Sequence, residues 1–246
     1  MSIVVAYSHH RSAAPARLTA EALWGVAAQV RRQVLVSGAS LALPADRLAS
    51  AVSAICVNGR EIRVTWDLGG PVHDGEGKPV LGVCETDPDL PDTALVSING
   101  SMLAGRSDLA SSTAAHELAH VLFDVPPVLA GSAVERRYRS ALSSAEALFD
   151  PTMMRSEWRA NEFMGALLAP PVPLHLRLVV HARAERLRMV HGVHHGRLGS
   201  RILAADNAPE AVEGVLSAVA ADFGVSERFV AVRVARYRLI EGGWVS

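Results

Sequence analysis

The chain has 246 residues, 50% of them hydrophobic and 20% charged, so it carries enough apolar material for a core and too little charge for wholesale disorder. Its net charge of -1 gives no global field toward nucleic acid or an anionic membrane surface. No uncharged run approaches the ~18 apolar residues that a membrane span requires.

Taken in order, the apolar run up to Tyr7 is too short for a secretory signal and lacks a basic start. From Ala16 to about Val36, apolar residues at Leu18, Ala22, Val26, Val30 and Val34 predict a helix, with Thr19 as N-cap and Gly38 as its end. Pro44 opens a second helix with Leu48, Val52 and Ile55 on one face. The period changes at Glu61–Leu68, where polar and apolar residues alternate as in a half-buried strand. A Gly- and Asp-rich loop follows. Val80–Cys84 and Ala94–Ile98 predict two further short strands, separated by a turn at Asp87–Asp92. Cys56 and Cys84 form no Cys-x-x-Cys pair and read as small buried hydrophobes, which suits a reducing cytosol. The expectation is a soluble, cytoplasmic protein.

The next helix carries the chemistry. Capped at Ser107 or Asp108 and ending near Phe123 before Pro126-Pro127, it contains His116-Glu117-Leu118-Ala119-His120, an H-E-x-x-H motif. Residues four apart share a helix face, so His116 and His120 can offer two imidazole nitrogens to one zinc ion. Glu117 stands where it can serve as general base toward a metal-bound water. A hydrolytic zinc site needs a third ligand. The spacing H-E-x-x-H-x-x-G-x-x-H is excluded, because Phe123 and Pro126 occupy the positions of its Gly and last His. A carboxylate from a second helix is the alternative. After a polar, partly helical stretch at 128–149, Asp150-Pro151 starts such a helix, which runs to Leu168 and contains both Glu157 and Glu162.

Thr113-x-Ala115-His116-Glu117-Leu118-x-His120, followed by Glu157-x-x-Ala160-Asn161-x-Phe163 and Leu167-Leu168-x-Pro170, resembles the ImmA/IrrE family of metallopeptidases. Val96-Ser97-Ile98-Asn99 upstream and Phe223-Gly224-Val225-Ser226 with Arg233 downstream are similar to further family segments. The resemblance implies a zinc endopeptidase with His116, His120 and Glu157 as ligands and Glu117 as base. It also implies a protein substrate, a helix-turn-helix transcriptional repressor, as part of stress-response or mobile-element regulation. Glu162 lies about 140° round the helix from Glu157, so both cannot face one metal. Asn161 shares the face of Glu157 and is a candidate for a hydrogen bond behind it. The chain departs from the pattern at Ala119, where the family has Gly, and at Asp124, where many relatives have a His. Met164 and Ala169 also differ, and the stretch 125–150 is longer than the family leads one to expect.

Beyond Pro170-Pro171 and Pro173, an Arg- and His-rich segment, Leu174–His195, predicts a helix. Its Arg177, Arg183, Arg186 and Arg188 read as a solvated face paired with Glu185, and His191, His194 and His195 as its solvated end. Two helices at about 209–222 and 227–240, joined by Gly224-Val225-Ser226, form a helix-turn-helix-like pair with Arg228, Arg233 and Arg236 on the second. Without a basic excess this pair argues against direct nucleic-acid binding. Tyr138 and His175 are nominal oxyanion donors, and the strand at 94–98 is a candidate sheet edge for an extended peptide. The expected fold class is α+β, with a small mixed or antiparallel sheet packed on the H-E-x-x-H helix and a second ligand helix. The organisation reads as an N-terminal helical segment (1–58), a metallopeptidase core (59–173, insertion about 125–150) and a helical C-terminal part (174–246). The competing reading is a non-catalytic DNA- or repressor-binding regulator with a structural or vestigial zinc site.

Overall fold

The computed structural model describes residues 2–35, 40–131, 138–140, 151–194 and 197–242, with the backbone alone at 138–140, 194, 197 and 198. Contacts divide the chain into one unit of residues 1–38 and 43–167 and another of residues 39–42 and 168–246. The first holds β1 (Ser2–Val5), α1 (Ala20–Val34), α2 (Ala45–Ala51), β2 (Ala54–Val57), β3 (Arg60–Asp67), β4 (Gly82–Thr86), β5 (Thr93–Ile98), α3 (Ser107–Phe123), α4 (Val125–Leu129), β6 (Tyr138–Ser140) and α5 (Pro151–Leu168). The expected α+β class, with a small mixed sheet beside the H-E-x-x-H helix, is what this unit has.

Among the described residues the sheet runs β1-β2-β3-β5-β4-β6, with β1 parallel to β2, β3 parallel to β5 and the other pairs antiparallel. Alternation along β3 buries Ile62 and Val64 and exposes their neighbours. Directly opposed residues point to the same face of a sheet, so register carries this buried face across Ile3–Ile55–Ile62, Val64–Ala94 and Val96–Cys84 to Ile98–Gly82. The N-terminal segment is therefore more than the helical segment expected for 1–58: it supplies two strands. β1 is only four residues long, and Ile55, predicted on the face of α2, sits in β2. Strand β5 is not the edge proposed for it. It lies between β3 and β4, because the tight turn at 87–92 pairs β4 with β5 while the long 68–81 loop lets β4 swing outside.

Local chemistry explains the helix ends. Thr19 caps α1 by accepting from the Ala22 N–H, as predicted, and the helix closes at Val34, while Gly38 lies outside the described residues. The first helical residue of α3 is Ser107, preceded by Arg106 without a side-chain cap. Hydroxyls of Ser111, Ser112 and Thr113 instead donate back to the carbonyls of Ser107, Asp108 and Leu109. That satisfaction lets a helix with buried polar residues lie against β4 and β5. Pro126 and Pro127 do end α3, yet they sit in the first turn of the short α4, where missing N–H groups cost nothing. Most of the predicted 128–149 excursion, including Glu135, Arg136 and Arg137, lies outside the described residues, as does Asp150. Its described parts are residues 128–131, which include the end of α4, and β6, which pairs with Gly82–Cys84. Asn99, at the end of β5, donates to the Val72 and Val80 carbonyls and so fixes the 68–81 loop.

The second unit holds α6 (Pro171–Ala184), β7 (Met189–His194), β8 (Arg197–Leu203), α7 (Pro209–Phe223) and α8 (Glu227–Arg236). The helix predicted through His195 stops at Ala184, and an antiparallel hairpin of β7 and β8 replaces its second half. Gly192 explains part of this. Opposite Ser200, it lies so close to the Ile202 side chain that an added Cβ would clash with it. His191 is exposed on β7, and His195 lies outside the described residues. The pairing of the basic run with Glu185 is not what is found: Arg177 bonds Asp222 and Arg188 bonds Asp206. The joint between α7 and α8 is as predicted. Gly224 takes the left-handed conformation (φ 64°), Val225 N–H reaches the Ala220 carbonyl, and Ser226 accepts from the Phe229 N–H. No single helix among the described residues is long and apolar enough to cross a membrane.

Candidate metal centre

Helix α3 is buried on all sides from Thr113 to Phe123, the condition of a core helix rather than an amphipathic surface one. Small side chains at Ala114, Ala115 and Ala119 leave room for this, and Leu118, Leu122 and Phe123 fill the surroundings. Phe123 stacks edge-on against Phe163 of α5, with ring centroids 5.8 Å apart. This contact and the polar bonds below hold the two helices that carry the expected ligands.

The structure brings the three predicted ligands together. His116 Nε2 and His120 Nε2 are 3.2 Å apart. Glu157 Oε2 is 3.2 Å from His116 Nε2, and its Oε1 is 3.6 Å from His120 Nε2. A tetrahedral ion with ligand bonds of about 2.0–2.1 Å sets its donors roughly 3.3–3.4 Å apart, so two imidazole nitrogens and a carboxylate oxygen fit one such ion. The group could hold a metal. Exposure is graded across it: His120 is fully buried, His116 9% exposed and Glu157 38% exposed, so solvent reaches the group from the Glu157 side.

Glu117 is fully buried on the same helix. It faces β4 where that strand has Gly82: a Cβ there would stand 3.1 Å from Glu117 Oε1 and 2.7 Å from Thr113 Cγ2. The missing side chain is what lets strand and helix approach, the usual meaning of a glycine inside a strand. A glycine in the apolar run from Val80 to Cys84 was the only sign of this in the sequence.

Behind His120 stands Asp124, itself buried. Its Oδ2 accepts from His120 Nδ1 at 2.8 Å and from Ser156 Oγ at 2.6 Å, and its Oδ1 accepts from Arg159 at 2.7 Å. Burial works against a charged His120, but the hydrogen bond to Asp124 and then the charges of Asp124, Glu117 and Glu157 outweigh it and raise the ring to about 9. Burial likewise opposes ionisation of Asp124, and His120, Arg159 and Ser156 together hold it below the ordinary carboxylate range. With Nδ1–H given to Asp124, the Nε2 of His120 is the nitrogen turned toward His116 and Glu157.

Other predicted residues fall differently. Glu162 points away as its helical position requires and accepts from Trp24 Nε1 at 3.0 Å, tying α5 to α1. Asn161 is exposed and makes no hydrogen bond to Glu157 among the described residues, so the role expected of it passes to Asp124, Ser156 and Arg159. The backbone of Tyr138 pairs with Cys84. His175 lies in the second unit, with its Nε2 against the Arg201 carbonyl. Asp124 had a sign in the sequence, since it follows His120 by four residues; Ser156 and Arg159 flank Glu157 without any pattern to mark them. No family model, curated protein or solved structure matches the chain.

Proposed function

We propose that His116, His120 and Glu157 hold a zinc ion and that the chain is a metallo-endopeptidase of the ImmA/IrrE type. The observation that supports this most is that His116 Nε2 stands 3.2 Å from both His120 Nε2 and Glu157 Oε2, with Glu157 Oε1 3.6 Å from His120 Nε2, a group reached from solvent on one side and joined by the buried Glu117 on the same helix. Zinc in such a site supplies Lewis acidity, lowering the pKa of a coordinated water toward ~7 and polarising a scissile carbonyl. The protein's own residues do the rest. Glu117 takes the proton that the attacking water loses and delivers it to the leaving amine. The close approach of β4 at Gly82 confines its carboxylate, and Asp124 keeps the Nδ1 proton of His120 turned away from the metal.

The substrate class follows the resemblance alone: a helix-turn-helix repressor, cut in the cytoplasm, where free Cys56 and Cys84 would stay reduced. Of the three arginines of α8, Arg233 is buried over the Tyr237 ring and so is not offered to a phosphate backbone, while Arg228 and Arg236 are exposed. The test has two arms. Glu117→Gln should retain one zinc per chain and lose peptide hydrolysis, whereas His116→Ala should lose the zinc. Co-expression with a helix-turn-helix repressor encoded beside the chain should yield a cut repressor in the wild type only. A Glu117→Gln variant that still cuts would sink the enzyme reading.

A further inference from the structure

We infer that Asp124 is the positioning residue of the metal centre, through which Ser156 and Arg159 set Glu157 in register with the two histidines. The inference rests on the proposed reading of that centre and extends it to residues that touch no metal.

The argument is geometric. The first two ligands come from α3, one turn apart, and the helix itself fixes their relation. Glu157 comes from α5, and nothing in the covalent chain sets the rotation or height of α5 against α3. A helix that rotates by one residue turns its side chains by 100° and moves them 1.5 Å, enough to take a carboxylate out of a coordination shell. Two contacts on either side of Glu157 prevent this, Ser156 one residue before it and Arg159 two residues after. Both end on the carboxylate of Asp124. The same carboxylate orients His120 through Nδ1, and Ser156 Oγ lies 3.5 Å from that nitrogen. One buried side chain thus locates a ligand on each helix.

Arg159 supplies a permanent positive charge 2.7 Å from the Asp124 carboxylate. Asp124 is not among the donors that converge on one point, so it is not itself a fourth ligand in this arrangement.

The experiment measures zinc affinity of the purified full chain by competition with a chromophoric chelator, and the visible spectrum of the Co²⁺-loaded chain as a report of ligand geometry. Asp124→Asn should weaken zinc roughly 10–100-fold. Ser156→Ala and Arg159→Met, which remove none of the three ligands, should each weaken it about tenfold and alter the Co²⁺ spectrum, while Arg159→Lys should recover part of the loss. In an Asp124→Asn background, adding Arg159→Met should cost little more, because both act through one carboxylate. Wild-type zinc affinity and spectrum in both Ser156→Ala and Arg159→Met would overturn the inference, even if those variants melted earlier. So would losses that add in full in the double variant. A wild type that binds no zinc overturns the inference together with the metal reading. Zinc binding lost in His116→Ala but untouched at Asp124, Ser156 and Arg159 overturns the inference alone.

Discussion

The molecule uses the same three side chains twice. In the first unit His120, Asp124 and Arg159 form a histidine–carboxylate–guanidinium cluster, with the ring nitrogen 2.8 Å from the carboxylate and Arg159 2.7 Å from it. In the second, His181 and Arg177 of α6 meet Asp222 of α7 at 2.7 and 2.6 Å. The bond lengths do not distinguish them; surroundings do. His120 and Asp124 are 0% and 6% exposed, His181 and Asp222 24% and 22%. The other nitrogen of His120 faces His116 and Glu157, whereas His181 uses its Nε2 on Asp222 itself and has Arg177 3.3 Å from the same nitrogen. The first cluster holds a ring for something else. The second joins two helices. A histidine–aspartate pair therefore says little about function until one asks how dry it is and where the second ring nitrogen looks.

That contrast predicts unequal costs. Asp124→Ala leaves Arg159 and His120 without their buried carboxylate, and removing one partner of a buried pair costs about 3–5 kcal/mol. Urea denaturation of the metal-free chain should show a loss of that size, with zinc binding weakened as well. If Asp124→Ala cost no more than removal of Asp222, burial would not be what separates the clusters.

The same contrast holds for glycines. Gly82→Ala places a methyl against Thr113 and Glu117, where neither helix nor strand has room, whereas a Cβ at Gly214 in α7 meets nothing within 4 Å. Gly82→Ala should destabilise by roughly 1–3 kcal/mol, as overpacking does, and should lower the proposed peptide hydrolysis by displacing the Glu117 carboxylate. Gly214→Ala should stabilise by about 0.5–1 kcal/mol through the entropy of the unfolded chain and should leave hydrolysis unchanged. Thermal unfolding of the pair, with hydrolysis measured alongside, checks both signs. A stabilised and active Gly82→Ala would show that β4 does not confine Glu117.

What the sequence made legible follows the range of the interactions. Local ones could be read directly: the caps Thr19 and Ser226, the left-handed Gly224, the alternation of β3, and the spacing that puts His116 and His120 on one face. Glu157 also could be placed, because a second pattern named it and helical rotation removed Glu162. Failures came where a short apolar run carries no period of its own. Ile55 fits a helical series with Leu48 and Val52 as well as it fits a strand, and only pairing with Ile3 and Ile62 decides. Met189–His194 was read as helix although Gly192, Gly196 and Gly199 lie in one short stretch, a density that strongly disfavours it. The place of β5 inside the sheet rather than at its edge is not legible in the sequence, because pairing across a long loop is not encoded locally. Asn161 and Ser156 are both near Glu157 on α5, and which of them is buried depends on how that helix packs on α3.

The smallest expected effect lies in the second cluster and tests its description as a joint. Asp222 is held below the ordinary carboxylate range: burial pushes its carboxyl up, but the hydrogen bonds from Arg177 and His181 outweigh that. A carboxyl whose folded pKa is depressed stabilises the fold above its unfolded value of about 3.9, and the contribution is lost as pH falls through the lower folded value. Because the group is partly open to solvent, the contribution is that of a screened ion pair, below about 1 kcal/mol. Asp222→Asn should therefore lower stability by that small amount at neutral pH, by less at high salt, and by nothing once the pH is below the folded pKa. Denaturation midpoints for wild type and variant across pH 2–7 should converge in acid, and zinc affinity should be the same in both. Convergence at neutral pH instead would mean that Asp222 is a contact without consequence. A change in zinc affinity would mean that the second cluster serves the metal centre, and the distinction between a cluster that positions a ligand and one that only joins helices would fall.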